Sequence, residues 1–151
     1  MLNQISDYMR IPVFTLIVSF IIGGSISWAN PEITITDPWV REAPPQSSVS
    51  AAYMIIENSG TTDDKLIEIT SSSFKKAEIH KTTVDENGTA KMQMVERIEL
   101  KPGEKVEFKP GGLHIMLIQP TEKFGTEKFV ELELVFENSG TKVVKADVLK
   151  K

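Results

Sequence analysis

The sequence predicts an all-β domain, a β-sandwich or barrel, and three observations carry that prediction. Apolar residues alternate with polar ones at a period of two, most plainly where Val130, Leu132, Leu134 and Phe136 interleave with Glu131, Glu133, Val135 and Glu137. That period puts one face of a strand in a core and the other in water. Turn formers recur between the runs, at Asn87-Gly88, Pro102-Gly103, Pro110-Gly111-Gly112 and Ser139-Gly140, where glycine and asparagine tolerate the left-handed backbone that tight corners need. Beyond residue 30, no stretch shows a capped period of 3.6 residues.

In order, the first run is ITITDPW (33–39), β-branched and interrupted by Asp37-Pro38. SAAYMIIENSG (50–60) follows and ends on turn residues, with Met54 reading as core filler. KLIEITS (65–71) is a third run, and AEIHKTTVDENGTAKMQMVERIEL (77–100) reads as strands on either side of the turn at Asp85–Gly88. KPGEKVEFKPGG (101–112) is a short run between two Pro-Gly corners, LHIMLIQP (113–120) a compact apolar one, and FVELELVFENSGTKVVKADVL (129–149) a pair joined at Ser139-Gly140. Short runs at this spacing, without an internal repeat, make one domain.

The N-terminus is excluded from that domain. Residues Ile11–Gly24 form an uncharged, mostly apolar run after Arg10. It has the length of a signal-peptide core and falls short of the roughly 20 apolar residues of a membrane span. Ser27 and Ala29 supply small residues at the −3 and −1 positions of a cleavage site. Residues 1–29 are therefore expected to be a signal peptide cut near Ala29, with an uncleaved membrane anchor as the alternative, and residues 30–151 the mature periplasmic domain.

Seventeen basic and 21 acidic side chains leave a net charge of −4. Without a clustered basic surface a nucleic-acid partner is not expected. The chain has no cysteine, so no disulfide staples the fold, no lipid is attached through a thioether, and any metal site must do without thiolate. Blue-copper centres, zinc ribbons and iron–sulfur clusters all drop out on that ground. No serine–histidine–acid set suggests an enzyme.

The chain has two histidines, His80 and His114, and its methionines beyond the leader are Met54, Met92, Met94 and Met116. In LHIMLIQP, strand alternation sends His114 and Met116 to one side and Leu113, Ile115 and Leu117 to the other. Three aliphatics would anchor the strand to the core and leave the His–Met pair projecting together, close to the strand end set by Pro110-Gly111-Gly112. A structural reading of His114 alone would have to supply a hydrogen-bond partner, because an unpaired buried imidazole costs about 1–3 kcal/mol. His80 and the Met92/Met94 pair flank the Asp85–Gly88 turn and would complete the set. His80 lies too far along for simple pairing with Met92, so a bulge or a looser loop is expected between them. Either methionine is available, and spacing favours Met92. Thioether sulfur is a soft neutral donor that selects Cu(I) over Mg²⁺ or Ca²⁺, and neutral imidazoles complete a shell suited to a d¹⁰ ion.

The separations His80, eleven residues, Met92, twenty-one residues, His114, one residue, Met116 resemble the signature of the periplasmic copper chaperones called PCuAC. Trp39-Val40-Arg41, Ala52-Tyr53 with Asn58, and Pro110-Gly-Gly-Leu-His-Ile-Met116 are similar to that family too. The resemblance implies a cupredoxin-like, immunoglobulin-like Greek-key β-sandwich carrying one exposed Cu(I) in a His2Met2 site. It implies a chaperone, not an enzyme, that delivers copper to respiratory oxidase assembly, its partner being a cytochrome c oxidase copper domain or an assembly factor. The chain itself is expected to be a monomer. Any membrane contact would come through the signal peptide or the acceptor. Lys81 stands where family members often carry methionine or glutamate, and the C-terminus lacks the His- and Met-rich tail of some members, so no second copper site is expected. A copper-storage binder without a dedicated acceptor, or a module that binds no metal, are the competing readings.

Overall fold

A computed structural model describes residues 30–44, 46–121, 124 and 128–150; the expected signal peptide, residues 1–29, lies outside the described residues. Among these the chain is all β, as predicted. Its strands are β1 (Ile33–Arg41), β2 (Val49–Asn58), β3 (Asp64–Thr70), β4 (Phe74–Val84), β5 (Ala90–Met94), β6 (Ile98–Leu100), β7 (Lys105–Phe108), β8 (Leu113–Pro120), β9 (Phe129–Phe136) and β10 (Gly140–Leu149).

One continuous sheet joins them in the order β5-β4-β8-β2-β1-β10-β9-β3-β6, with β7 on β2. Two strands serve as hinges of this sheet. At Asp37-Pro38, Asp37 adopts a left-handed φ of 50° and Pro38 has no N–H to give to a ladder. The pairing of β1 with β2 slips there, between Thr36 and Trp39, and the residues beyond, Trp39–Arg41, run parallel to β10 on their other side. β2 divides its length as well, pairing through Val49–Ala52 with β8 and through Met54–Glu57 with β7. The sheet thus curls until β3 and β4, far apart in its order, face each other across a cleft of about 450 Å³.

The core fills the inside of the curl. Val130, Leu132, Leu134 and Phe136 of β9 are buried, together with Ile115 and Leu117 of β8 and Ala52, Met54 and Ile56 of β2. Each large aliphatic removed from water here contributes about 1.5–3 kcal/mol. The alternation read from the sequence decided these faces correctly, and Met54 is indeed core.

Two fully buried polar side chains sit where β2 ends and β3 begins. Asn58 Nδ2 donates to the carbonyls of Thr62 and Leu100 at 2.8 and 2.9 Å, and Asn58 Oδ1 accepts from the amides of Glu32 and Gly60. Asp64 accepts from the amides of Lys65, Asn138 and Ser139 and from the Ser139 hydroxyl. Burial pushes the Asp64 carboxyl up, but these donors together pull it below its ordinary value.

Trp39 lies on a strand in the middle of the sheet, its ring 4.4 Å from that of Tyr53 on neighbouring β2. Its parallel partner β10 arrives from the far end of the chain, and no local pattern announces it.

Candidate metal centre

On β8, Ile115 and Leu117 have no exposure and face the core, and alternation turns His114 and Met116 to the outer face. The neighbouring strand β4 pairs with β8 in antiparallel register, His80 opposite His114 and Glu78 opposite Met116. Beyond it, β5 pairs with β4 so that Met94 is opposite His80 and Met92 opposite Thr82. Directly opposed residues share a face. All five candidate ligands, His80, Met92, Met94, His114 and Met116, therefore lie on the outer side of β5-β4-β8.

The bulge expected between His80 and Met92 is absent. The ladder runs without a slip from His80↔Met94 to Val84↔Ala90, because the turn keeps it in step. Asp85 Oδ1 accepts from the amides of Asn87 and Thr89, the Gly88 amide returns to the Asp85 carbonyl, and Gly88 takes a φ of 79° that glycine adopts without strain. Met92 consequently stands two cross-strand pairs nearer the turn than His80, and so on the same face.

Met92, His114 and Met116 line one cavity of about 320 Å³, with Thr82, Tyr53 and Arg41 among its other walls. His80 is beside this cavity and not in its lining, its ring centroid 6.1 Å from that of His114. Met94 turns toward the other cleft, between β3 and β4. Both hairpin methionines are exposed, Met92 at 53% and Met94 at 60%, whereas His114 is buried. Three of the four preferred residues are thus gathered in one cavity with the fourth next to it, and Met94 stands apart. The Arg41 guanidinium lies over the Tyr53 ring at 5.7 Å.

Each imidazole has one nitrogen occupied. His80 Nε2 is 2.9 Å from Glu78 Oε2; a carboxylate only accepts, so Nε2 carries the proton and the lone pair is on Nδ1 of the neutral ring. That Nδ1 is buried and has no hydrogen-bond partner. His114 Nδ1 is 3.0 Å from the Gly112 carbonyl and donates to it, which leaves the lone pair of that ring on Nε2. Glu78 also holds Lys76 Nζ through its other oxygen. The hydrogen bonds from Lys76 and then His80 hold the Glu78 carboxyl below the usual range. Glu78 was not singled out from the sequence, although its place two residues before His80 fixes it on the same strand face.

An orphaned buried imidazole nitrogen beside a second imidazole and two thioethers fits a soft metal ion. Among the described residues, no group of three or more histidine, aspartate or glutamate side chains could hold a metal, so hard, oxygen-rich coordination has no counterpart there.

The profile of the LpqE-like family matches residues 33–148. The protein RP573 of Rickettsia prowazekii (strain Madrid E) is 29% identical over 124 residues, 80% of this chain and 68% of that one. Among solved structures, the copper-bound PCuAC domain from PmoF2 superposes with a TM-score of 0.66 at 27% identity, covering 82% of this chain and 97% of that domain. The CuI-DR1885 solution structure from Deinococcus radiodurans shares the fold, with a TM-score of 0.63 at 24% identity over 83% of each chain.

Proposed function

The chain belongs to the LpqE-like family, and on that premise we propose that it is an exported, periplasmic copper chaperone. It holds one Cu(I) through His80, Met92, His114 and Met116, with Met94 as the possible substitute for Met92, and passes the ion to a copper-acceptor protein. The acceptor class is the one the family resemblance implies, a cytochrome c oxidase copper domain or an assembly factor. The observation that carries this reading is the register of β5, β4 and β8, which brings donors distant in sequence to one outer face. Likeness to a PCuAC domain solved with copper supports it further.

The donors suit transfer as well as capture. All four are neutral, so the site selects the soft monovalent ion and does not hold it with opposing charge. His80 and His114 are fixed by their hydrogen bonds, while Met92 stands exposed on the outermost strand, where an incoming donor from the acceptor can displace it. Copper then moves by ligand exchange down an affinity gradient: the protein's coordinate bonds to the ion are released as the acceptor's form, and no covalent bond of the chain changes.

Cu(I) titration against a chromogenic chelator tests the reading. One ion per chain is expected, weakened at least about tenfold, or about 1.4 kcal/mol, in His114→Ala and Met116→Ala. Met92→Leu should weaken binding more than Met94→Leu. Undiminished binding in both the His114 and Met116 variants overturns the site, and the reverse methionine order would put Met94 in the shell in place of Met92.

A further inference from the structure

We infer that Glu78 is a positioning residue for His80: its carboxylate fixes the proton on Nε2 and so presents Nδ1 as the free donor of that ring. The inference rests on the reading of His80 as a copper ligand and goes beyond it, to the residue that prepares the ligand.

Three side chains at every second position of β4, Lys76, Glu78 and His80, stand on one face of the strand, as alternation requires. Glu78 bridges the other two, with Lys76 Nζ 2.5 Å from Oε1 and His80 Nε2 2.9 Å from Oε2. The lysine occupies one carboxylate oxygen and leaves the other for the imidazole. The Glu78 and His80 side chains are only 18% and 15% exposed, so water competes weakly for this bond.

A neutral imidazole carries its proton on either nitrogen, and it ligates a metal through the nitrogen without one. In solution both forms are populated, so an unassisted ring must be caught in the right one. Here an acceptor-only group at Nε2 makes the choice before any ion arrives. The other nitrogen, Nδ1, is buried without a partner, a state that costs free energy in the empty protein and that a soft cation would relieve. A carboxylate behind a metal-bound imidazole also raises the basicity of the ring and locks its orientation, and losing such a partner typically lowers metal affinity 10- to 100-fold.

The test has two readouts. Long-range ¹H–¹⁵N correlation spectra of the metal-free protein, taken above neutral pH, report which nitrogen of each histidine bears the proton. Wild type should show His80 with its proton on Nε2, Glu78→Ala should show a mixture of both forms, and Glu78→Gln, which keeps an acceptor oxygen, should restore much of the original state. The His114 ring, held by the Gly112 carbonyl, should not respond and serves as the internal control for folding. In Cu(I) competition titrations, Glu78→Ala should bind 10- to 100-fold more weakly at unchanged stoichiometry, with Glu78→Gln in between. An Nδ1-protonated His80 in wild type, an unaltered His80 in Glu78→Ala, or undiminished Cu(I) affinity in a variant whose tautomer has shifted would each overturn the inference. Failure of the copper reading looks different: His80→Ala would then bind Cu(I) as wild type does, while the metal-free spectra would still decide whether Glu78 sets the proton.

Discussion

Two polar clusters are enclosed by this sheet or pressed against it, and they are built on opposite terms. Asn58 and Asp64 are wholly buried, and every hydrogen-bonding position of both side chains is filled: four partners for Asn58, four for Asp64. His80 has one nitrogen satisfied by Glu78 and the other, also buried, left open. A buried polar group that serves the fold is closed by its neighbours, because each open position would cost about 1–3 kcal/mol. A group that serves a ligand keeps a position open and carries that cost in the empty state. The contrast separates two classes of buried polar residue that composition alone would treat alike.

The sharpest way to break the contrast is at Asn58. Asn58→Ala strands two amides and two carbonyls at once and should cost about 3–5 kcal/mol, seen as a lower midpoint in urea denaturation, with Cu(I) affinity preserved in the fraction that folds. A loss under about 1 kcal/mol would mean that water replaces the side chain freely and that the cluster is not the closed unit its bonds describe.

Asp64 tests the same cluster through pH. Its carboxyl titrates below the ordinary value in the folded chain, so folding favours the ionised form. The resulting stability is fully present above the unfolded-state value of about 3.9, and is lost as pH falls through the lower folded-state value. Asp64→Asn replaces an acceptor with a donor facing Ser139 and should cost about 2–3 kcal/mol at pH 7. Its denaturation midpoint should decline less than that of wild type as the solution is acidified below about pH 4. Parallel curves for the two proteins would remove Asp64 from the acid response.

The smallest effect is expected at His80, and its smallness is the point. His80→Leu removes the open nitrogen along with the bond to Glu78, so the thermal stability of the metal-free protein should stay within about 1 kcal/mol of wild type, while Cu(I) binding weakens. A loss as large as that of Asn58→Ala would place His80 among the residues that hold the fold.

How far the sequence reached depends on whether the deciding partner was local. Alternation in 113–117 was enough to place His114 and Met116 together on the outside, since Leu113, Ile115 and Leu117 need the core. The β9 face followed in the same way. The register of the β4–β5 hairpin was misjudged, because counting from His80 to Met92 gives the distance between two candidate ligands and not the pairing that Asp85 and Gly88 impose. Met94, not Met92, is the cross-strand neighbour of His80, yet Met92 is the one that shares a cavity with His114 and Met116. Glu78 was within reach of the same two-residue rule and went unread because an acidic residue in a strand is usually a solvated one. The closed bonding of Asn58 and Asp64 was out of reach: apart from the Ser139 hydroxyl, their partners are backbone groups up to 75 residues away, and backbone groups leave no mark in a sequence.

The strand that bears Met92 has a further consequence. Every residue of β5 is exposed, and β5 is hydrogen-bonded to β4 alone, so peeling it back uncovers no apolar interior and sacrifices only one ladder. Local opening of this kind is among the lowest-energy excursions available to a folded chain. The proposed thioether donor is thus mounted on an edge strand that can open locally while the rest of the sheet stays shut.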